Sequence, residues 1–156
     1  RALIDRIRSK IPEAAIHTDL IVGFCGETEE EFEASRRVVE ELEFDKIHLA
    51  RYSVRPGTYA AEHLADDVPE EEKRRRWHII DDLQNGILLR KNRQQIGKVV
   101  EVLAEGRQQG RWRGRTPQNR LVFFSGEGVA AGRLARVLVE HAGAYSLSGR
   151  LSEIVG

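Results

Sequence analysis

Apolar residues along this chain keep two different periods, and the period changes near residue 98. Leu3, Ile4 and Ile7 lie at helical spacing, and that helix should stop before Pro12. Residues 15–24, AIHTDLIVGF, read as a strand whose apolar end suits a buried parallel sheet. Thr28 and Glu31 have capping-box spacing, and the helix they open carries Phe32, Val39 and Leu42 on one stripe. FDKIHLARY, residues 44–52, alternates as a second strand, so the order is strand, helix, strand, a βαβ crossover. SVRPGTYAAEH then reads as a loop. Pro69 with three glutamates behind it starts a long helix, because proline suits the first turn and carboxylates suit the positive end of the dipole. Trp77, Ile80, Ile87 and Leu88 carry that helix towards Gly97, with QNG at 84–86 as the place for a bend.

From Lys98 the runs are short, β-prone and separated by glycines: KVVEVLAEG, RWRGRT, NRLVFFS, RLARVLVEHAG and YSLSGRLSEI. Five strands without a helical pattern predict a small closed barrel of the OB-like type. The fold class is therefore α/β followed by all-β, with residues 1–92 as one domain and its connecting helix and residues 93–156 as the other.

Length limits the first part. A complete eight-stranded α/β barrel needs about 250 residues, and the whole chain has 156. Its first residues read as mid-helix and it contains no methionine, so we expect a piece of a longer protein. No apolar run approaches a membrane span, and a cytoplasmic protein with no membrane partner is expected. The single cysteine excludes an internal disulfide and a Cys-rich metal site made by this chain alone. The net charge of zero conceals an asymmetry: 15 Lys and Arg against 20 Asp and Glu in residues 1–92, and 10 against 5 in residues 93–156. A basic second part suits a polyanionic partner, and surface solubility is the plainer account.

Four places carry candidate chemistry. Gly23 and Gly26 follow a strand and precede a capped helix, so their backbone amides could approach a ligand at the strand's C-terminal edge. The lysine of a phosphate loop and the third glycine of a dinucleotide fingerprint are missing, and an ordinary βα turn is the simpler reading. Cys25 sits inside that turn, either as a small apolar filler or as a nucleophile of a nucleotide-dependent enzyme, and no histidine pairs with it legibly. Asp19 is a carboxylate in an apolar strand, either paired and inward or near the strand's exposed beginning. Tyr52 and Arg55 follow the second strand at the same sheet edge, in a pocket or in a plain surface loop.

GRWRGRTPQNRLVFF, residues 110–124, is the strongest signal from the residues themselves. Arg111, Arg113, Arg115 and Arg120 suit phosphates, Trp112, Phe123 and Phe124 offer stacking planes, and Asn119 suits a base edge. Alternation places at least one of the two phenylalanines in the core. KRRRWH at 73–78 is a second basic run; the glutamates before it predict i,i+4 pairs on a solvated face.

Three segments together, TDLIVGFCGETEEEFE, YSVRPGTYAA and GRTPQNRLVFF, resemble the C-terminal half of the radical-SAM methylthiotransferases. The resemblance implies the end of a partial (βα) barrel followed by a TRAM domain, an RNA-binding barrel. It is strongest to the branch that methylthiolates N6-isopentenyladenosine beside the tRNA anticodon. The branches acting on threonylcarbamoyl-adenosine or on a ribosomal protein are alternatives, as is an RNA-binding module without catalysis. The cofactors implied are S-adenosylmethionine and two 4Fe-4S clusters, the partners a tRNA anticodon arm and a reductant for the clusters, and the state a monomer. By match, Gly23, Phe24, Gly26 and Glu27 would lie beside S-adenosylmethionine with Tyr52 and Arg55 nearby. Arg111, Arg113, Arg115, Thr116, Asn119 and Arg120 would belong to the RNA-contacting barrel. Cys25 stands where the family usually has proline, and the CxxxCxxC cluster motif does not occur in this chain. The chain alone is therefore expected to hold no catalytic residue and no metal ligand, and to be inactive.

Overall fold

The computed structural model describes residues 1–155, which divide into two compact units, Arg1–Gln84 and Asn85 onward. The division falls inside a long helix rather than at its end.

The first unit begins with α1 (Ala2–Lys10), none of whose residues is buried; its Arg8 guanidinium donates to the Leu42 carbonyl. β1 (His17–Val22) and β2 (Lys46–Arg51) pair in parallel, with Asp19 opposite His48 and Leu20 opposite Leu49. Asp45 secures the start of the pair, accepting the Ile16 N–H at 2.9 Å on its side chain and donating its own N–H to the Ile16 carbonyl at 2.8 Å. Between the strands runs α2 (Glu29–Leu42), opened by a complete capping box. The Thr28 hydroxyl accepts the Glu31 N–H at 3.2 Å, and the Glu31 carboxylate accepts the Thr28 N–H at 2.9 Å. Val22, Phe32, Val39, Leu42, Phe44, Ile47, Val68 and Ile80 are its buried apolar side chains.

Two features differ from the sequence reading. β1 is not a buried strand: Val22 is its one buried residue, and Ile21 is 52% exposed. Thr18 and Leu20 share a cleft with Ala34, Val38 and Val39 of α2, but the sheet has two strands and His17, Asp19 and Ile21 face away. Asp19 is accordingly exposed. The loop after β2 also contains a short helix, α3 (Tyr59–His63), capped by the Thr58 hydroxyl accepting from the Ala61 N–H at 3.3 Å.

α4 (Glu70–Arg93) is helical throughout, including Gln84–Gly86. Its 24 residues span about 36 Å at 1.5 Å per residue. Gln84 points inward and donates to the Phe44 carbonyl at 3.0 Å, which gives this polar position a place in the interior.

The second unit is a closed barrel of β3 (Val99–Gln108), β4 (Arg111–Arg115), β5 (Leu121–Ser125), β6 (Leu134–Ala142) and β7 (Ser146–Ile154), in spatial order β3-β4-β5-β7-β6. The β5–β7 contact is parallel and the others are antiparallel. Inward alternation packs Val102, Ala104, Trp112, Val122, Phe124, Ala135, Val137, Val139 and Leu147 into one core. Asn92, near the end of α4, donates from its amide to the carbonyls of Gly143 and Ala144 at 2.9 Å each, tying the helix to the β6–β7 turn.

Two glycines are required by close approach. A Cβ on Gly149 would strike the Leu138 carbonyl, and one on Gly114 would strike the Leu103 carbonyl and Val102. Backbone cannot yield as a flexible side chain does. Gly149→Ala and Gly114→Ala should therefore each cost the barrel about 2–3 kcal/mol. Gly106→Ala, where a Cβ meets nothing within 4 Å, should stay within about 0.5 kcal/mol. Urea unfolding followed by Trp112 fluorescence in a Trp77→Phe background measures this; equal midpoints for all three would refute it.

Candidate functional site

The turn after β1 is built from both ends of the first unit's sequence. Gly23 and Gly26 take positive φ, +71° and +76°. Gly23 has a second reason to lack a side chain, since a Cβ there would overlap Lys73. Both amides are already engaged. The Gly23 N–H donates to a Glu27 carboxylate oxygen at 2.6 Å, and the Gly26 N–H donates to Asp67 at 2.7 Å. Both amides are thus spent on carboxylates of the same unit. The turn's amide positive charge is neutralised from within.

Glu27 is held in turn by Arg76, whose Nη1 meets the carboxylate at 2.7 Å and the Glu27 carbonyl at 2.9 Å. The Arg76 side chain is 5% exposed and also pairs with Glu72 at 2.8 Å and Glu29 at 3.2 Å. Arg75 joins the same cluster through Glu29 and Glu72, at 2.7 Å each. Lys73, equally buried, pairs with Asp66 at 2.5 Å and lies 5.3 Å from the Tyr52 ring centre. The basic run 73–76 is thus more than a solvated face. Its helical neighbours pair as foreseen, but Lys73 and Arg76 reach inward. Buried Lys73, Arg76, Ile80 and Gln84 sit at intervals of three and four residues, a stripe that sequence reading missed because two members are charged.

Tyr52 continues β2, donating its N–H to the Val22 carbonyl at 2.9 Å, and the Phe24 ring meets its ring edge-on at 5.0 Å. The buried Tyr52 hydroxyl makes no well-formed hydrogen bond. The Cys25 thiol, followed by burial, pushes the phenol up to about 12. Cys25 is half-buried and free, and no histidine is paired with it among the described residues. Gly23, Phe24, Gly26, Glu27 and Tyr52 thus come together at one edge, whereas Arg55 is exposed in the following loop, where its carbonyl accepts from the Thr58 hydroxyl at 2.8 Å. Phe24, Cys25, Gly26, Glu27 and Glu31 line an open cavity of about 330 Å³. An exposed aromatic ring, carboxylates and occupied amides form a donor-seeking, cation-tolerant lining.

On the barrel, β4 alternates strictly. Arg111, Arg113 and Arg115 point outward, while Trp112 and Gly114 point in. Phe123 lies opposite Arg113 on β5, half-buried on the outer face, with the Arg111 guanidinium 5.3 Å from its ring centre. Trp112 and Phe124 are core residues, which removes them as stacking planes and leaves Phe123. Thr116 is buried and staples the β4–β5 turn, its hydroxyl accepting the Arg120 N–H at 3.2 Å. Asn119 adopts a positive φ of 63° in that turn, and its side-chain oxygen accepts from Arg115 at 3.1 Å. Arg120 is half-buried at the turn's end. The outward face therefore brings Arg111, Arg113, Arg115 and Asn119 together and turns Thr116 inward.

Residues 93–152 match the family model of the TRAM domain. The matched stretch takes in all of β3, β4, β5 and β6 and most of β7. Over nearly its whole length the chain is also similar to proteins named tRNA-2-methylthio-N(6)-dimethylallyladenosine synthase. It is 48% identical over 155 residues to that of Roseiflexus sp. (strain RS-1), covering 97% of this chain and 33% of the relative. It is 48% identical over 149 residues to that of Chlorobium phaeobacteroides (strain BS1), covering 94% and 33%. It is 41% identical over 155 residues to that of Dehalococcoides mccartyi (strain ATCC BAA-2266 / KCTC 15142 / 195), covering 99% and 37%. The chain spans about a third of the length of these curated relatives. The resemblance to the methylthiotransferases carried by its three motifs is borne out by these matches.

The charge cluster around the glycine turn gives a pH signature. Hydrogen bonding from Arg75, and next from Arg76, holds the Glu72 carboxyl down at about 2, against an ordinary 4.5. A depressed folded-state value contributes stability above pH 4.5 that is lost as pH falls through 2. Urea midpoints read by Trp77 fluorescence should drop across that window, and Glu72→Gln should flatten the drop. Arg76→Met, which strands the mostly buried Glu27 and leaves Glu72 and Glu29 without this partner, should cost about 3 kcal/mol. Arg75→Met, on an exposed pair, should cost at most about 1 kcal/mol.

Proposed function

We propose that this chain is part of a radical-SAM methylthiotransferase that modifies an N6-dimethylallyl (isopentenyl) adenosine in tRNA. The observation that carries the reading is the similarity to synthases of that name over 97% of the chain, joined to a TRAM barrel with an outward row of arginines. The relatives' names favour this nucleoside over threonylcarbamoyl-adenosine and over a ribosomal-protein substrate.

In this reading Gly23, Phe24, Gly26, Glu27 and Tyr52 form part of the wall beside S-adenosylmethionine, with Arg55 on the loop next to it. The Phe24 ring offers an apolar surface, and the Glu27 side receives donors. S-adenosylmethionine and the 4Fe-4S clusters supply the radical chemistry, while the polypeptide supplies placement and exclusion of side reactions. The residues present do not fit a cluster, because Cys25 is the chain's single cysteine and a cluster needs three or four thiolates. The cluster ligands, and with them turnover and the use of a reductant, belong to sequence outside these 156 residues. Arg111, Arg113, Arg115 and Asn119 grip the anticodon arm, with Arg120 at the edge of the face and Thr116 holding the turn. No described helix is long and apolar enough to cross a membrane.

The test is tRNA binding by the chain itself across a salt series. Affinity should fall log-linearly with salt, and Arg111→Ala should weaken binding and make the slope shallower by about 0.7–0.9. The chain should show no methylthiolation after iron–sulfur reconstitution, whereas the longer protein should bind adenosyl ligands. Salt-independent tRNA binding, or turnover by the chain alone, would refute the assignment of roles.

A further inference from the structure

We infer that Glu105 determines the specificity of the barrel's RNA face by holding two of its arginines back from indiscriminate phosphate binding. The inference rests on the reading that this face binds RNA. Glu105 projects outward from β3 beside the β-bulge at Ala104/Gly106, and its two oxygens serve different arginines. One accepts from Arg113, at 3.0 Å from Nη2 and 3.3 Å from Nε; the other pairs with Arg115 Nε at 3.3 Å. Arg115 Nη1 also donates to the carbonyl and side-chain oxygens of Asn119, at 3.2 and 3.1 Å.

The consequence is geometric. The side-on Nε/Nη2 edge of Arg113, one of the two edges by which a guanidinium grips a phosphate with paired hydrogen bonds, is occupied. A phosphate approaching there must displace Glu105 or lie beside its negative charge. Arg111 differs, being stacked over Phe123 with no carboxylate on it among the described residues. The face thus has one arginine next to an aromatic ring with no carboxylate on it and two whose Nε side faces Glu105.

Two opposing effects follow from removing that charge. Loss of the ion pairs loosens the arginines, but pairs this exposed, with side chains 43–44% exposed on the arginine side, hold their partners weakly. Loss of a like charge beside a polyanion strengthens every phosphate contact nearby, through a distance shorter than the screening length. The second effect wins. A backbone without the right shape therefore gains most from the removal. An RNA held also by stacking on Phe123 and by Asn119 rests a smaller share of its affinity on phosphates beside Glu105, so the same removal gains it less.

The experiment measures the 156-residue chain against a tRNA anticodon stem-loop and a poly-U strand of equal length, across salt. Glu105→Gln keeps the size and one hydrogen-bond acceptor, and Trp112 fluorescence reports that the barrel is folded. Poly-U affinity should rise about three- to tenfold, and its salt slope should steepen by about 0.7 for the extra net positive charge. The stem-loop should gain less, so discrimination falls. Glu153→Gln, which removes a carboxylate paired with Arg136 at 2.7 Å, is the equal-charge control and should leave discrimination unchanged. Unchanged or weaker poly-U binding by Glu105→Gln, or an equal gain from Glu153→Gln, overturns the inference while leaving RNA binding intact. Failure of the wild-type chain to bind either RNA overturns both.

Discussion

The buried pair between Arg76 and Glu27 joins two segments 49 residues apart, and the shape of the first unit's turn depends on it. Removing two charges from water is costly, and the cost is met only when each charge has further partners. Here each does. Glu27 also accepts the Gly23 amide, and Arg76 also meets Glu72, Glu29 and the Glu27 carbonyl. The backbone of the turn is fixed by α4, so the positive φ at Gly23 and the fit of Lys73 against it are parts of one arrangement. That arrangement decides the site's chemistry. With its amides taken by carboxylates, and Glu27 itself held by Arg76, the edge leaves the Phe24 ring as its exposed apolar surface.

The fold was legible where local rules agree with tertiary demand. All five barrel strands follow from alternation and glycine spacing, and the capping box of α2 forms as Thr28 and Glu31 indicate. β1 keeps the apolar character of a parallel strand, but apolar character alone does not bury it: its sheet here has two strands, and Val22 is its one buried residue. Alternation left open which of Phe123 and Phe124 was inside. Register settles it, since Phe124 pairs with core Trp112 and Phe123 with outward Arg113.

The site was less legible than the fold, for a specific reason. Motif reading located the glycine turn but could not see that Glu27 and Asp67 return to cap its amides. Lys73 and Arg76 were discounted because charge normally marks the outer face of a helix. Their spacing with Ile80 and Gln84 carried the inward signal, and only the supply of carboxylates from Asp66, Glu27 and Glu72 makes that position tolerable.

The two basic runs look equivalent in sequence, and burial separates them. In KRRRWH, the Arg76 and Lys73 side chains are 5% and 4% exposed, so their carboxylate partners cannot be exchanged without unfolding the turn. In GRWRGRT, Arg113 and Arg115 share a carboxylate at 44% and 43% exposure, within reach of water and of any competing anion. The same ion pair is therefore structural in one unit and exchangeable in the other. Exchange is what recognition of a polyanion requires: a phosphate gains entry only where an existing partner can leave at little cost. Arg113 and Arg115 of the barrel meet that condition, whereas Lys73 and Arg76 of α4 do not.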